Sequence, residues 1–536
     1  MDNLYADLIL TNGNIITMDE KKIADSLVVK NDTIQYVGNK QKAQDWAGAN
    51  TEIINLQGKT ILPGLIESHM HPTHYALNLL EIDCRSTSTP SIKKILEKIK
   101  DAVKNTPKGE WIRGWGWDDS KLTEQRNPTL QELDQVAPEH PVLLKRTCKH
   151  MSVVNTKAME LSGITNETKD PEGGHIERSS HSGELTGLLQ ETAQGLLALP
   201  DYSLEDMVDG MKLAQKDFVK WGITTIHDMS MQKEDLQTYQ YLLERNDLKV
   251  RFRPWIWART QNGYTGLLDE VLSLGIRSDF GNDMLKIQGT KFMLDGSVGG
   301  RTAAVSEPYE NSESTGILYN NVSDIFPLMK KSIEGGLRVA VHGIGERSID
   351  VAIQSFEQVN KLKNIKFMRN RIEHCALPTK NHLQKMNHLG LIAAASIGFI
   401  YHIGDSYLNN LGKERMKRVY PLKTFKSYGI VAPGNSDSPV TDGNPWTGIY
   451  GAVLRKSVSG KVLDDEQNIT VYDAIKAYTK DAAYSSFEEE TIGVIKPGAK
   501  ADIIVVSKNP FQIEKEELKN IEVESTYING KLVYKK

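Results

Sequence analysis

Cysteine is scarce: 536 residues hold three, Cys84, Cys148 and Cys375, far apart and in no C-x-x-C pair. That spacing excludes a disulfide framework and a zinc ribbon, and predicts a cytoplasmic protein. An excess of one charge is also missing. Lys+Arg number 65 against Asp+Glu 69, a net charge of −4, so no basic surface for phosphates is expected and no nucleic acid as a partner. The longest mostly apolar run, Leu391 to Tyr401, is too short to cross a bilayer, and the opening Met-Asp-Asn-Leu-Tyr-Ala-Asp lacks the basic and apolar regions of a secretory leader. No membrane partner is expected, and no internal repeat or low-complexity tract is present. The remaining composition, 39% apolar, 25% charged and a mean hydropathy of −0.41, is that of a globular chain with a sizeable core. Its length predicts roughly three to four domains, or one large barrel with a smaller companion.

The first sixty residues alternate like half-buried strands: Leu8-Ile9-Leu10, Ile15-Ile16, Leu27-Val28-Val29 and Ile34 to Val37, with turns at Asn12-Gly13 and Asn31-Asp32. The C-terminal end reads the same way, with a strand at Asp502 to Val506 and a hairpin about Asn529-Gly530. Isolated hairpins are marginal in water, so residues 1–60 and 490–536 are expected to form one composite β-domain; two unrelated terminal hairpins are the alternative.

Residues 61–489 carry apolar, β-branched runs separated by helical patterns, the mark of parallel βα units. The runs are Ile61 to Met70, Thr224 to Met229, Phe252 to Ala258, Leu285 to Met293, Arg338 to His342, Arg371 to His374, Ile392 to Ile397 and Ile430 to Asn435. Ser203 to Lys220 shows the helical partner well: Leu204, Met207, Val208 and Met211 at i, i+3, i+4 and i+7, Ser203 as N-cap and Gly222 at the exit. The fold class is therefore α/β, a (β/α)8 TIM barrel with insertions. About 150 residues separate the first strand from the second, too many for a structureless loop. An insertion subdomain over about 85–200 is expected, opening at Thr89-Pro90 with a helix through Ile92, Ile95, Leu96, Ile99 and Val103.

His69-Met70-His71 closes the first strand, and side chains at i and i+2 share a face, so the two imidazoles are placed to share one metal ion. Lys291, His342, His374 and Asp437 fall at the C-terminal ends of the fourth, fifth, sixth and eighth strands, the catalytic rim of this architecture. His140, His150, His175, His181, His382, His388 and His402 have no such placement. An ammonium at Lys291 is disfavoured by burial and by neighbouring cations, whereas the neutral amine is suited to take up carbon dioxide as a bridging carbamate. The alternative is a Lys291 that pairs with Asp295. Asp437 is suited to accept a proton from a metal-bound water, whose pKa falls to about 7, and to pass it to the leaving atom. Metal-assisted hydrolysis is the chemistry this set predicts.

Ile61-Leu62-Pro63-Gly64-Leu65-Ile66-Glu67-Ser68-His69-Met70-His71 resembles the signature of the amidohydrolase superfamily. Gly114-Trp115-Gly116-Trp117-Asp118, Thr290 to Ser297, Val341 to Glu346, Arg371 to His374, Gly434 to Val440 and Gly493 to Asp502 resemble its branch with N-substituted formamide deformylase and YtcJ-like proteins. The resemblance implies two divalent metal ions, usually Zn2+: His69, His71 and Asp437 on one, His342 and His374 on the other, and a carbamate on Lys291 between them. It also implies a β-sandwich from both termini. Glu67 stands where the superfamily often has Asp, with a supporting role expected, and Ala395-Ser396-Ile397-Gly398 replaces a Gln-Pro pair, which bears on substrate preference.

For substrate contacts, the insertion is expected to hang over the barrel mouth, with Trp115 and Trp117 as an apolar wall and Asp118 or His150 as a polar contact. Its tryptophans are alternatively the insertion's own core. Arg301 meets a substrate carboxylate or carbonyl, or else pairs with Asp295 or Glu307. The function predicted is hydrolysis of a linear C–N amide bond of the N-acyl or N-formyl amine type. Ester, cyclic-amide or amidine hydrolysis on the same site, and a non-catalytic regulatory role, are the alternatives. The partner is a small-molecule amide or ester, with a homodimer left open.

Overall fold

The computed structural model describes residues 5–19, 23–86, 88–147 and 150–536; Cys148 and the first four residues of the N-terminal reading lie outside them. The chain forms two compact units, Met1–Pro72 with Ala214–Lys536, and Thr73–Leu213. No helix among the described residues is long and apolar enough to cross a membrane.

In the first unit the ends of the chain meet. Ile503–Val506 lies antiparallel between Val523–Ile528 and Thr60–Pro63, with Ile503 opposite Pro63 and Val506 opposite Thr60. These strands, with Lys531–Lys535, Asn14–Ile16 and Ile23–Ala24, make a six-stranded sheet; Thr33–Gly38, Ser26–Lys30, Leu8–Thr11 and Glu52–Asn55 make a four-stranded one. Leu10, Leu27 and Val29 of one sheet share an apolar cluster with Ile61, Ile503 and Val505 of the other. That burial is what makes either terminal sheet stable in water.

The rest of this unit is a TIM-barrel-like α/β body. Its strands are β1 (Leu65–Met70), β2 (Ile223–Asp228), β3 (Arg251–Phe252), β4 (Trp255–Trp257), β5 (Gly289–Met293), β6 (Arg338–Gly343), β7 (Arg371–His374) and β8 (Ile392–Ala394). β1 pairs in parallel with β2 and β2 with β3; β4 through β8 pair in parallel in chain order. Three of the expected runs differ in detail. Ile61 to Met70 is two strands, because the chain changes sheet at Gly64, where a Cβ would stand 2.3 Å from Thr224. Phe252 to Ala258 is interrupted at Pro254, which has no N–H for the ladder. Ile430 to Asn435 contains Pro433 and makes no strand; it contributes one parallel bridge, Ala395 with Gly434, while Ser68 Oγ donates to Gly434 O at 2.8 Å.

Alternation within these strands decides which residues face the site. Phe292, Val339 and Val341 pack outward with Ile325, Met329 and Ile349 of the surrounding helices, so Lys291, Ala340 and His342 leave the opposite, inner face.

The second unit is built on a six-stranded sheet in the order Gly174–Arg178, Leu185–Glu191, Met151–Val154, Val142–Arg146, Ile112–Trp117, Ile82–Asp83. The helix Ile92–Val103 buries Ile92, Ile95 and Ile99 against Trp117, Leu133 and Leu144. Its N-cap is Ser91, whose hydroxyl accepts from Lys94 N, one residue after the expected Thr89-Pro90 start.

Candidate functional site

The C-terminal ends of β1, β6 and β7 and the segment after Gly434 bring His69, His71, His342, His374 and Asp437 together. His69 Nε2 is 3.3 Å and His71 Nε2 3.1 Å from Asp437 Oδ1. The His374 ring lies 4.7 Å from that of His69 and 4.5 Å from that of His342. One donor atom each from His69, His374 and Asp437 falls within 4.8 Å of the others. His374 and Asp437 hold their side chains there with left-handed backbones, φ 64° and 53°, a conformation uncommon in non-glycine residues.

Each imidazole has one nitrogen anchored. His69 Nδ1 is 2.5 Å from Glu373 Oε2, His71 Nδ1 2.7 Å from Ser230 Oγ, and His374 Nδ1 2.8 Å from Ser396 Oγ. His342 is turned the other way, its Nε2 3.1 Å from Gly296 O and 3.2 Å from Asp295 Oδ1. Glu373 is gripped in turn by Arg371, whose Nε and Nη2 donate at 2.7 and 2.8 Å. Burial pushes the Glu373 carboxyl up, but Arg371 and His69 prevail and hold it at about 2.

This donor set fits a divalent cation. His69 Nε2 and Asp437 Oδ1 are buried and make no hydrogen bond, a costly state for two polar atoms unless an ion compensates it. Burial holds the His374 imidazole well below its usual range and lowers that of His71, so both keep a lone pair at neutral pH. Asp437 stays ionised: burial opposes this, yet His69 and His71 keep its carboxyl well below the usual range. Lys291 is buried and pulled down to about 8 by desolvation, against the attraction of Glu373 and Asp437.

A model of the amidohydrolase family matches residues 52–534. The chain belongs to the amidohydrolase family. It is 31% identical over 539 residues to YtcJ of Bacillus subtilis (strain 168), covering 98% of each chain. It is 26% identical over 544 residues to the N-substituted formamide deformylase of Arthrobacter pascens, covering 99% of this chain and 98% of that one. Among solved structures, an uncharacterized metal-dependent hydrolase from Pyrococcus furiosus superposes with a TM-score of 0.78 at 28% identity, over 94% of this chain and 100% of the other.

Other expected site residues of this amidohydrolase lie elsewhere or are otherwise engaged. Lys291 does not pair with Asp295, whose carboxylate is taken up by Ala304 N, Gly345 N and Ser348 Oγ at 2.9, 2.9 and 2.7 Å. Arg301 is exposed and donates to Asn410 Oδ1 at 3.0 Å, with neither Asp295 nor Glu307 as its partner. Trp117 has no exposed surface with which to form a wall: it is core of the second unit, its indole donating to Leu144 O at 3.2 Å. Trp115 is half-buried, bonded to Asn78 O and covered by Arg85. Asp118 caps Ser120 N and pairs with Arg146 at 3.0 Å, and His150 is exposed beside Glu191 at 2.9 Å.

Sequence reasoning missed the anchors of the imidazoles. Arg371-Ile372-Glu373 carried a usable signal, since two opposite charges at i and i+2 on a barrel strand share its inner face. Ser230 and Ser396 carried none. Glu67 does support the site, accepting from Ser436 N at 3.0 Å and His69 N at 3.3 Å, and burial pushes its carboxyl up to about 8.

Proposed function

We propose that this amidohydrolase is a metal-dependent hydrolase of a linear C–N amide bond, acting on an N-acyl or N-formyl amine. The observation that carries the reading is the pair of buried, hydrogen-bond-lacking atoms His69 Nε2 and Asp437 Oδ1, converging with His374 on one point. His69, His71 and Asp437 would hold one ion and His342 and His374 a second, with a carbamate on Lys291 between them; zinc suits such nitrogen and oxygen donors. When bound, such ions supply Lewis acidity that polarises a carbonyl and acidifies water.

The chain's own groups do the rest. Asp437, ionised and beside His69 and His71, takes the proton of the attacking water and returns it to the leaving nitrogen. Glu373 fixes the hydrogen of His69 on Nδ1, leaving Nε2 its lone pair. The N-formyl form of the substrate is supported by the deformylase relative at 26% identity, and the hydrolytic class by the family itself. The finer architecture in this reading is an eight-unit barrel with a sandwich from both ends, and Arg301 is retained as a substrate contact. The enzyme is placed in the cytoplasm, acting on a small molecule without nucleic-acid or membrane partners.

The test is metal analysis of the purified protein together with turnover of a chromogenic amide and ester panel. Bound divalent ion and chelator-sensitive amide cleavage are expected. A metal-free protein that cleaves nothing in the panel after reconstitution would sink the reading.

A further inference from the structure

His227 lies on β2, wholly buried, and reaches across the barrel interior to β7, a strand with which β2 does not pair. Two donors meet its Nδ1: Arg371 Nη1 at 3.1 Å and the Trp255 indole Nε1 at 3.4 Å. Its Nε2 is buried and makes no hydrogen bond. A guanidinium and an indole carry hydrogens and offer no lone pair, so the imidazole nitrogen they both meet is the bare one. His227 is therefore a neutral ring with its hydrogen on Nε2; the other tautomer, or an imidazolium, would set N–H against N–H twice over. Burial, with the charges of Arg371 and Arg253 beside it, holds the ring well below its usual range and keeps it neutral.

Arg371 is engaged at all three nitrogens. Its Nε and Nη2 donate to the two oxygens of Glu373 at 2.7 and 2.8 Å, Nη2 donates also to Ser68 O at 2.8 Å, and Nη1 donates to His227. Glu373 Oε2 in turn stands 2.5 Å from His69 Nδ1. The path His227–Arg371–Glu373–His69 is thus unbroken, buried throughout, and ends on a candidate ligand. An imidazole with one nitrogen unsatisfied is a costly filler for a barrel, and a leucine would occupy the space without that penalty. What the imidazole supplies and leucine lacks is an acceptor facing Nη1. With that acceptor gone, a buried guanidinium hydrogen loses its partner, and the fork turns to regain one, opening its grip on Glu373.

We propose that His227 is a positioning residue for the metal site: a fixed neutral acceptor that orients Arg371, and through it Glu373, so that His69 keeps its hydrogen on Nδ1 and its lone pair on Nε2. The inference rests on the metal-dependent reading above and adds to it a buried histidine that is no ligand. Its influence passes through three hydrogen bonds in series, so removing it has a smaller effect than removing Glu373 itself.

The experiment compares wild type with His227→Asn, whose Oδ1 takes the place of Nδ1 as an acceptor, and with His227→Leu, which fills the space without one. Nitrogen NMR of the metal-free, histidine-labelled proteins shows which ring nitrogen carries each hydrogen, with His69 and His227 assigned by the signals lost in His69→Ala and His227→Asn. Competition with a chromogenic chelator gives the Zn2+ affinity. In wild type, His227 is expected to carry its hydrogen on Nε2 and His69 on Nδ1. In His227→Leu, His69 divides between its two tautomers and Zn2+ binds about tenfold more weakly, the low end of what a partner behind a ligating histidine contributes; in His227→Asn both readings return to those of wild type. A His227→Leu that matches wild type in both readings would overturn the proposal, as would a stably folded His227→Asn that behaves like His227→Leu. Should His227→Leu not fold, wild type alone decides: a His227 hydrogen on Nδ1 overturns the proposal. Failure of the metal-dependent reading is seen separately, as a wild type without Zn2+ binding or chelator-sensitive turnover across the amide and ester panel, while the tautomers, read without metal, still test His227.

Discussion

Glu373 Oε2 and His69 Nδ1 stand 2.5 Å apart, joining the inner faces of β7 and β1. The neighbouring residue on β7, His374, reaches the same site through a left-handed backbone. One short strand therefore supplies both a candidate ligand and the carboxylate that orients another.

Glu373→Gln removes that charge while keeping the shape. Metal affinity is expected to fall 10- to 100-fold, the usual cost of losing a carboxylate behind a ligating histidine. Competition with a chromogenic chelator measures it; an affinity equal to that of wild type would refute the orienting role.

Asp437→Asn keeps an oxygen donor near His69 and His71 but cannot take a proton. Turnover is expected to drop by at least about 10²-fold, the typical contribution of general base catalysis, with most of the metal retained. Steady-state kinetics beside elemental analysis decides this, and unchanged kcat would remove Asp437 from proton transfer.

Lys291→Ala is expected to be inactive and to recover part of its activity in millimolar-range short carboxylic acids, which replace a carbamate's two oxygens. Loss of activity without any rescue would point to a lysine acting as an unmodified amine.

Glu488, whose hydrogen bonds go to Arg253 and Lys286, offers a stability test. It accepts from Arg253 at 2.7 and 2.8 Å and from Lys286 at 3.0 Å. Burial opposes its ionisation, but Arg253 and Lys286 depress the carboxyl from 4.5 to about 2. A folded-state value below the unfolded one means the stabilisation is present above the ordinary carboxylate range and drains away as pH falls towards about 2. Glu488→Gln should therefore cost about 3 kcal/mol at neutral pH and flatten the acid side of the stability curve between pH 5 and 2. Urea melts across that window measure it; parallel curves for variant and wild type would exclude the linkage.

Trp117→Ala should destabilise the second unit by about 3 to 5 kcal/mol, as for other large core truncations. KM, measured well below the melting point, should stay the same. A raised KM in a stably folded variant would restore Trp117 to the substrate wall.

The parts legible from sequence were those with a period or a strand end behind them. Alternation at Leu8 to Val37 and at Asp502 to Val506 marked strands of two sheets that share one apolar cluster, and strand ends marked His69, His71, His342 and His374, whereas Lys291 lies within its strand and Asp437 follows a segment that forms none. What escaped was set by three-dimensional neighbours. Nothing local distinguishes Trp117, sealed in a core, from a tryptophan on a wall, because both sit in the same Gly-Trp-Gly-Trp context. Ser230 and Ser396 acquire meaning only beside His71 and His374, and Gly64 only beside Thr224.

The strand Ile503–Val506 bonds directly to Thr60–Pro63, which runs through Gly64 into the strand bearing His69. Every candidate ligand is thus synthesised before the segment that braces the first of them. During translation the six donors leave the ribosome as a set without its buttress, and a chain halted or clipped after Asp437 would carry all the chemistry and lack the frame that aims it. Its competence is conferred last, by a stretch of ordinary Ile and Val.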